Sequence, residues 1–96
     1  MSGAPIVRYR KRPIVVDTVE WKGPEDIDAM WKFTGLRGFR VVVPARGDIT
    51  GEVWDRLHST WIGVKTGDLV IRGVEGEFYP HDKAAMLKSY DQVRDW

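Results

Sequence analysis

The sequence predicts an α+β domain. It is expected to be a small, mainly antiparallel curved sheet or partly open barrel, with one covering helix and a short C-terminal helix. Three observations carry this. Short β-rich runs follow one another at tight-turn spacing, which implies antiparallel pairing. One segment, opened by Gly23-Pro24, has its apolar residues at helical spacing. And 96 residues make one domain, which buries roughly 60–65% of the surface its unfolded chain exposes. That suffices for one modest core and leaves little room for a deep cleft.

Residues 1–8 read as a flexible tail, because Ser2, Gly3, Ala4 and Pro5 offer little to pack, and residues 9–96 as the domain. Residues 14–21 are the first expected strand. Val15, Val19 and Trp21 share one face with Asp17, and Ile14, Val16, Thr18 and Glu20 the other. A helix then starts at Gly23-Pro24-Glu25-Asp26. Proline suits the first helical position, and Glu25, Asp26 and Asp28 place negative charge at the positive end of the dipole. Ile27, Met30, Trp31 and Thr34 form its inward stripe, and Gly35 ends it.

Residues 39–44 form the second strand, around Val41, Val42 and Val43, and residues 45–48 a turn. Residues 52–57 and 59–65 are strands with a bend near His58-Ser59. Residues 64–80 read as three short strands joined by two tight turns, at Gly67-Asp68 and at residues 73–76. This double hairpin is the spine of the expected sheet, with Leu69, Val70 and Ile71 as its apolar centre. Asp82 caps a helix running to Lys88 with Met86 and Leu87 inward, and residues 89–93 are a closing strand.

Composition excludes several classes of function. The chain has no cysteine, so it has no disulfide framework, thiolate metal site or cysteine nucleophile, and it fits a reducing cytoplasm. No run approaches the ~18–20 apolar residues of a membrane span. The basic N-terminal stretch is interrupted by Pro13 and Asp17, so a signal-peptide core is not expected. Net charge is only +1, but unevenly spread. Arg8, Arg10, Lys11 and Arg12 precede an acidic group of Glu20, Glu25, Asp26 and Asp28, and the two groups attract each other or a second copy of the chain.

Catalytic patterns are weak. Ser59 follows His58 directly, but adjacent strand residues point to opposite faces and are poorly placed to share a proton. His81 and Asp82, joined by Glu77 or Asp91, are the one outline of a metal-dependent hydrolase, without a recognisable ligand spacing; an N-capping aspartate after a strand-end histidine explains the pair more simply. Gly67-Asp68 and Gly73-Val74-Glu75-Gly76 precede β-rich sequence rather than a helix, so turn chemistry accounts for them better than phosphate binding. Arg46-Gly47-Asp48 is read as a surface turn.

Binding patterns are stronger. Arg8, Tyr9, Arg10, Lys11 and Arg12 form a basic arm able to contact phosphates, with Tyr9 free to stack on a base. Five tryptophans are unusual in so short a chain, and core filling accounts for at least three of them. Trp21 and Trp31 fit core positions, and Trp54 is a third candidate for the core. Trp54, Trp61 and Trp96 are the candidates for a stacking or anchoring surface.

Tyr9-Arg10-Lys11-Arg12-Pro13-Ile14-Val15-Val16 with Glu20-Trp21, then Gly67-Asp68-Leu69-Val70-Ile71-Arg72-Gly73, Gly76-Glu77-Phe78-Tyr79-Pro80 and Ser89-Tyr90 together resemble a family of small phage and prophage proteins. Leu69 stands where the family usually has an aromatic residue, and His81 where a cysteine is common. The resemblance implies a phage or prophage origin and a non-virion accessory role. Small accessory proteins of this kind often bind a host factor or a defence signal.

The expectation is therefore a non-catalytic protein of the host cytoplasm, without cofactor or metal. It would bind and inhibit or sequester a host protein or a small anionic, nucleotide-type defence signal through Arg8, Tyr9, Arg10, Lys11, Arg12, Trp54, Trp61 and Trp96. The alternatives are nucleic-acid binding through the basic arm and a small metal-dependent hydrolase around His81. Sheet edges and a terminal tryptophan also invite self-association into a homo-oligomer.

Overall fold

The computed structural model describes residues 3–10 and 12–93. The first regular element, β1 (Asp17–Glu20), leads through a 3₁₀ turn (Pro24–Asp26) into α1 (Ile27–Thr34). Then follow β2 (Phe39–Arg46), β3 (Ile49–Asp55), β4 (Thr60–Lys65), β5 (Leu69–Arg72), β6 (Phe78–His81) and α2 (Lys83–Ser89). The fold is α+β, as expected. The strands form two antiparallel three-stranded sheets, ordered β1-β5-β6 and β2-β3-β4. They do not close into a barrel.

The core lies between the sheets and under α1. Trp21, Met30, Phe39, Val53, Val64 and Val70 fill it, and Ile27, Trp31 and Phe33 of α1 pack against it. The Trp21 and Phe39 rings meet at 4.7 Å. Trp31 keeps its indole N–H satisfied on the Phe39 carbonyl at 3.1 Å. Trp21 does the same on Thr50 Oγ1 at 2.9 Å. Gly35, at φ 92°, ends α1 in a conformation that side chains avoid.

The expected double hairpin is only half present. β5 pairs with β6, but β4 belongs to the other sheet, so Gly67-Asp68 is a crossover rather than a hairpin turn. The cause is local. Gly67 donates its N–H to the Trp21 carbonyl at 2.6 Å, and Trp21 donates to the Asp68 carbonyl at 2.8 Å. The end of β1 thus captures the turn and draws the chain away from β4. Gly67 adopts φ 97° to allow this.

Three other expectations are corrected. The first strand is shorter than residues 14–21, because β5 has only four residues and its last pair is Asp17 with Arg72. In α2, Met86 is buried but Leu87 is exposed, since adjacent helical residues cannot both face inward. Residues 90–93 form no strand. Asp82 caps α2 as predicted, accepting from the Ala85 N–H at 2.9 Å.

Candidate binding surface

The sheet β2-β3-β4 has one face on the core and one on solvent. On β3, Gly51, Val53 and Asp55 are buried, so Glu52 and Trp54 point outward. The register sets Arg40 of β2 opposite Glu52, and Trp54 opposite Trp61 of β4. These four side chains share the outer face. The alternation around Val53 puts Trp54 outside rather than in the core, where its residue type alone would allow it.

The four make one connected unit. Trp54 and Trp61 meet edge to face, with centroids 5.4 Å apart and planes at 64°. The Arg40 guanidinium lies 4.0 Å from the Trp61 ring centroid. Arg40 Nε donates to Glu52 Oε1 at 2.7 Å, and Arg46 Nη2 to Glu52 Oε2 at 2.9 Å. The hydrogen bond from Arg40 holds the Glu52 carboxyl below the usual glutamate range; burial opposes this, and Arg46 reinforces it. Glu52 is almost covered, at 12% side-chain exposure, whereas Arg40 and Arg46 remain 53% and 55% exposed. One shielded carboxylate therefore orients two accessible guanidinium groups beside two indoles. The patch is aromatic and net positive, with an arginine over one indole face, which suits an anionic ligand with a flat ring.

Sequence reasoning found Trp54 and Trp61 but missed Arg40, Arg46 and Glu52. Arg46, expected in the turn of residues 45–48, is the last residue of β2. The available signal was pairing across strands, which requires the register. The basic arm is a separate feature. Arg8, Tyr9, Arg10 and Arg12 are exposed, and among the described residues no ion pair or ring contact ties them to Trp54 or Trp61. Lys11 and Trp96 lie outside the described residues.

The weaker patterns resolve into local structure. The partner of His58 is Asp55, with Nδ1 2.6 Å from Oδ2, rather than Ser59. The Asp55 carboxylate is buried and also accepts the Leu57 N–H at 3.0 Å, so the pair braces the β3–β4 turn. The His81 ring meets the Asp82 carbonyl at 3.0 Å, and Asp82 caps α2. Glu77 accepts the Glu75 N–H at 3.0 Å. Among the described residues no three acidic or histidine side chains converge to hold a metal. The turn glycines spend their N–H groups internally: Gly67 on Trp21, Gly73 on Glu77 and Gly76 on Gly73. No N–H of these three is left for a phosphate.

No family model, curated protein or solved structure matches the chain. Among the described residues no helix is long and apolar enough to cross a membrane.

Proposed function

We propose that this chain is a non-catalytic binding protein that captures a small anionic, nucleotide-type ligand on the outer face of β2-β3-β4. One observation supports this above the others: the Arg40 guanidinium is stacked on Trp61 and held there, together with Arg46, by a single shielded Glu52. A base would stack on the exposed side of the Arg40–Trp61 pair, and Arg46 would meet the phosphate. Preorganised guanidinium groups lose little side-chain entropy on binding. Together with the resemblance to phage accessory proteins, this favours sequestration of a defence signal, or occupation of a host factor's nucleotide-binding partner surface, in the host cytoplasm.

The test is a tryptophan-fluorescence and calorimetric titration against mononucleotides and cyclic dinucleotides. At least one of these probes should bind. Arg40→Ala and Arg46→Ala, both at exposed side chains, should each weaken it about tenfold, the effect of losing roughly 1.4 kcal/mol of stacking or charge-assisted bonding. Binding that survives both substitutions but is lost on removing residues 1–12 would move the site to the basic arm. No binding across the panel would end the nucleotide reading.

A further inference from the structure

We infer that two copies of this chain pair antiparallel through β1 about a two-fold axis, joining their sheets into one six-stranded sheet. Among the described residues β1 is the end strand of its sheet, with β5 on one side and no strand on the other. Trp21 directs both its N–H and its C=O to the β5 side. Because these groups alternate along a strand, Glu20 and Thr18 direct theirs to the open edge. Residues 12–16 form no strand in the single copy; the pairing would extend β1 over them, with Val16 turned to the partner and Pro13 in the alternate set, where its missing N–H costs that edge nothing.

The edge is short and carries Asp17 and Glu20, but the chain leading into it is apolar. β1 contains no lysine or proline, and an apolar β-branched run leads into it, with Ile14 41% and Val15 75% exposed. Beside it, between β1 and α2, lies a groove of about 580 Å³ lined by Ile14, Val16, Met86, Leu87, Tyr90 and Val93, among others.

Charge order selects a second copy, in one direction, as the occupant. Arg8, Arg10 and Arg12 precede β1, and Glu20, Glu25, Asp26 and Asp28 end or follow it. Within one copy these arginines form no ion pair among the described residues; Glu20 is bridged by Lys83 at 2.8 Å and Asp26 accepts the Lys22 N–H at 2.7 Å. A segment that is basic before and acidic after is complementary to itself only when antiparallel, since parallel pairing would oppose like charges. Centring the pair on Val16 sets Arg12 opposite Glu20, Val15 opposite Asp17 and Ile14 opposite Thr18, and its one like-charge pair, Arg10 with Lys22, falls beyond the end of β1. Centring on Asp17 would oppose two aspartates. Glu20 reaches α2 through Lys83, so Ile14, Val16, Thr18 and Glu20 share the groove side, and the partner's Ile14 is laid over it.

Because the chain has no cysteine, crosslinking reads the register cleanly. Val16→Cys places the two sulfurs on the axis, where hydrogen-bonded partners sit about 5.5 Å apart, within disulfide range. Thr18→Cys places them about 13 Å apart along the strands, out of range. The full chain should sediment at twice its 11.0 kDa mass, more weakly as salt rises. Mild oxidation should join V16C covalently and leave T18C unjoined. Val16→Pro removes an outward N–H that the pairing needs, so it should give a folded monomer whose unfolding midpoint lies below that of the parent dimer and no longer depends on protein concentration. A monomer at millimolar concentration, equal crosslinking of both cysteine variants, or a V16P dimer as strong as the parent would each overturn the inference.

Discussion

Gly51 occupies a core position that no side chain can share, and replacing it with alanine tests the packing between the two sheets. A Cβ there would lie 2.6 Å from Phe39 Cζ, 2.8 Å from Phe39 Cε1 and 3.1 Å from Trp21 Nε1. Carbon contacts normally settle at about 3.5–4.0 Å, so one of the rings must move by nearly 1 Å. Neither is free to do so. Both are buried and packed against each other with their planes at 53°, and the Trp21 indole is tied to Thr50. Overpacking of this kind costs about 1–3 kcal/mol. Alanine recovers about 0.5–1 kcal/mol by restricting the unfolded backbone, leaving a net loss of about 0–2.5 kcal/mol, centred on about 1 kcal/mol. For a domain this size a loss of about 1 kcal/mol lowers Tm by about 4–8 °C.

Gly63→Ala is the control. Its Cβ would meet Ile49 Cδ1 at 2.8 Å, Cγ2 at 3.2 Å and Cγ1 at 3.3 Å, all on one half-buried side chain of the outer face. Rotation about χ2 clears Cδ1, and the two Cγ contacts need shifts of only a few tenths of an ångström, so the change should cost less than Gly51→Ala, at most about 1 kcal/mol. Thermal and urea unfolding, followed by tryptophan fluorescence, measure both. A Gly51→Ala protein more stable than the parent, or a Gly63→Ala protein that is the weaker of the two, would refute the assignment of faces on β3 and β4.

Two further outcomes are expected. Asp82→Ala removes the cap of a helix only seven residues long and should cost about 1 kcal/mol, with Asp82→Asn retaining most of the stability; unfolding curves and amide exchange in α2 check this. Glu52 is held below the usual carboxylate range chiefly by its hydrogen bond from Arg40, and Asp55 chiefly by that from His58. Both bind protons less readily folded than unfolded. Their contribution is therefore complete above the ordinary carboxylate range and is lost as pH falls through their lowered values. Tm should drop in acid below about pH 4.5, and His58→Ala should make that drop shallower. A Tm that stays flat in this window would contradict both pairings.

Local chemistry made the elements legible. Pro24, the acidic first turn and Gly35 bounded α1, and Asp82 marked the start of α2. Alternation gave Trp21 and Val19 their inward face. What could not be read was pairing between distant strands. Gly67-Asp68 looks like hairpin chemistry, and only the capture of Gly67 by Trp21, 46 residues earlier in the chain, turns it into a crossover. The candidate site was half legible for the same reason. Two indoles in one short chain draw attention by type, but Arg40 and Glu52 are ordinary surface residues until the register sets them opposite each other.

Irregularity in the ladder completes that site. Arg40 pairs with Glu52 and Val41 with Gly51, yet Arg46 pairs with Ile49, so β2 carries extra residues between its two regular stretches. β3 shifts register against β4 in the same region, between Ile49 and Gly51. These bulges return Arg46 to the carboxylate that Arg40 already holds. A regular hairpin continuing the Arg40–Glu52 register would put Arg46 at its tip, six residues along the chain from Glu52, and leave one guanidinium instead of two. The platform thus depends on β2-β3-β4, whereas the open edge belongs to β1-β5-β6. Val16→Pro should therefore leave nucleotide affinity unchanged, and Arg40→Ala should leave the dimer intact. If each substitution instead impaired both properties, the ligand would have to lie across two copies, and the outer face of one sheet would be only part of its site.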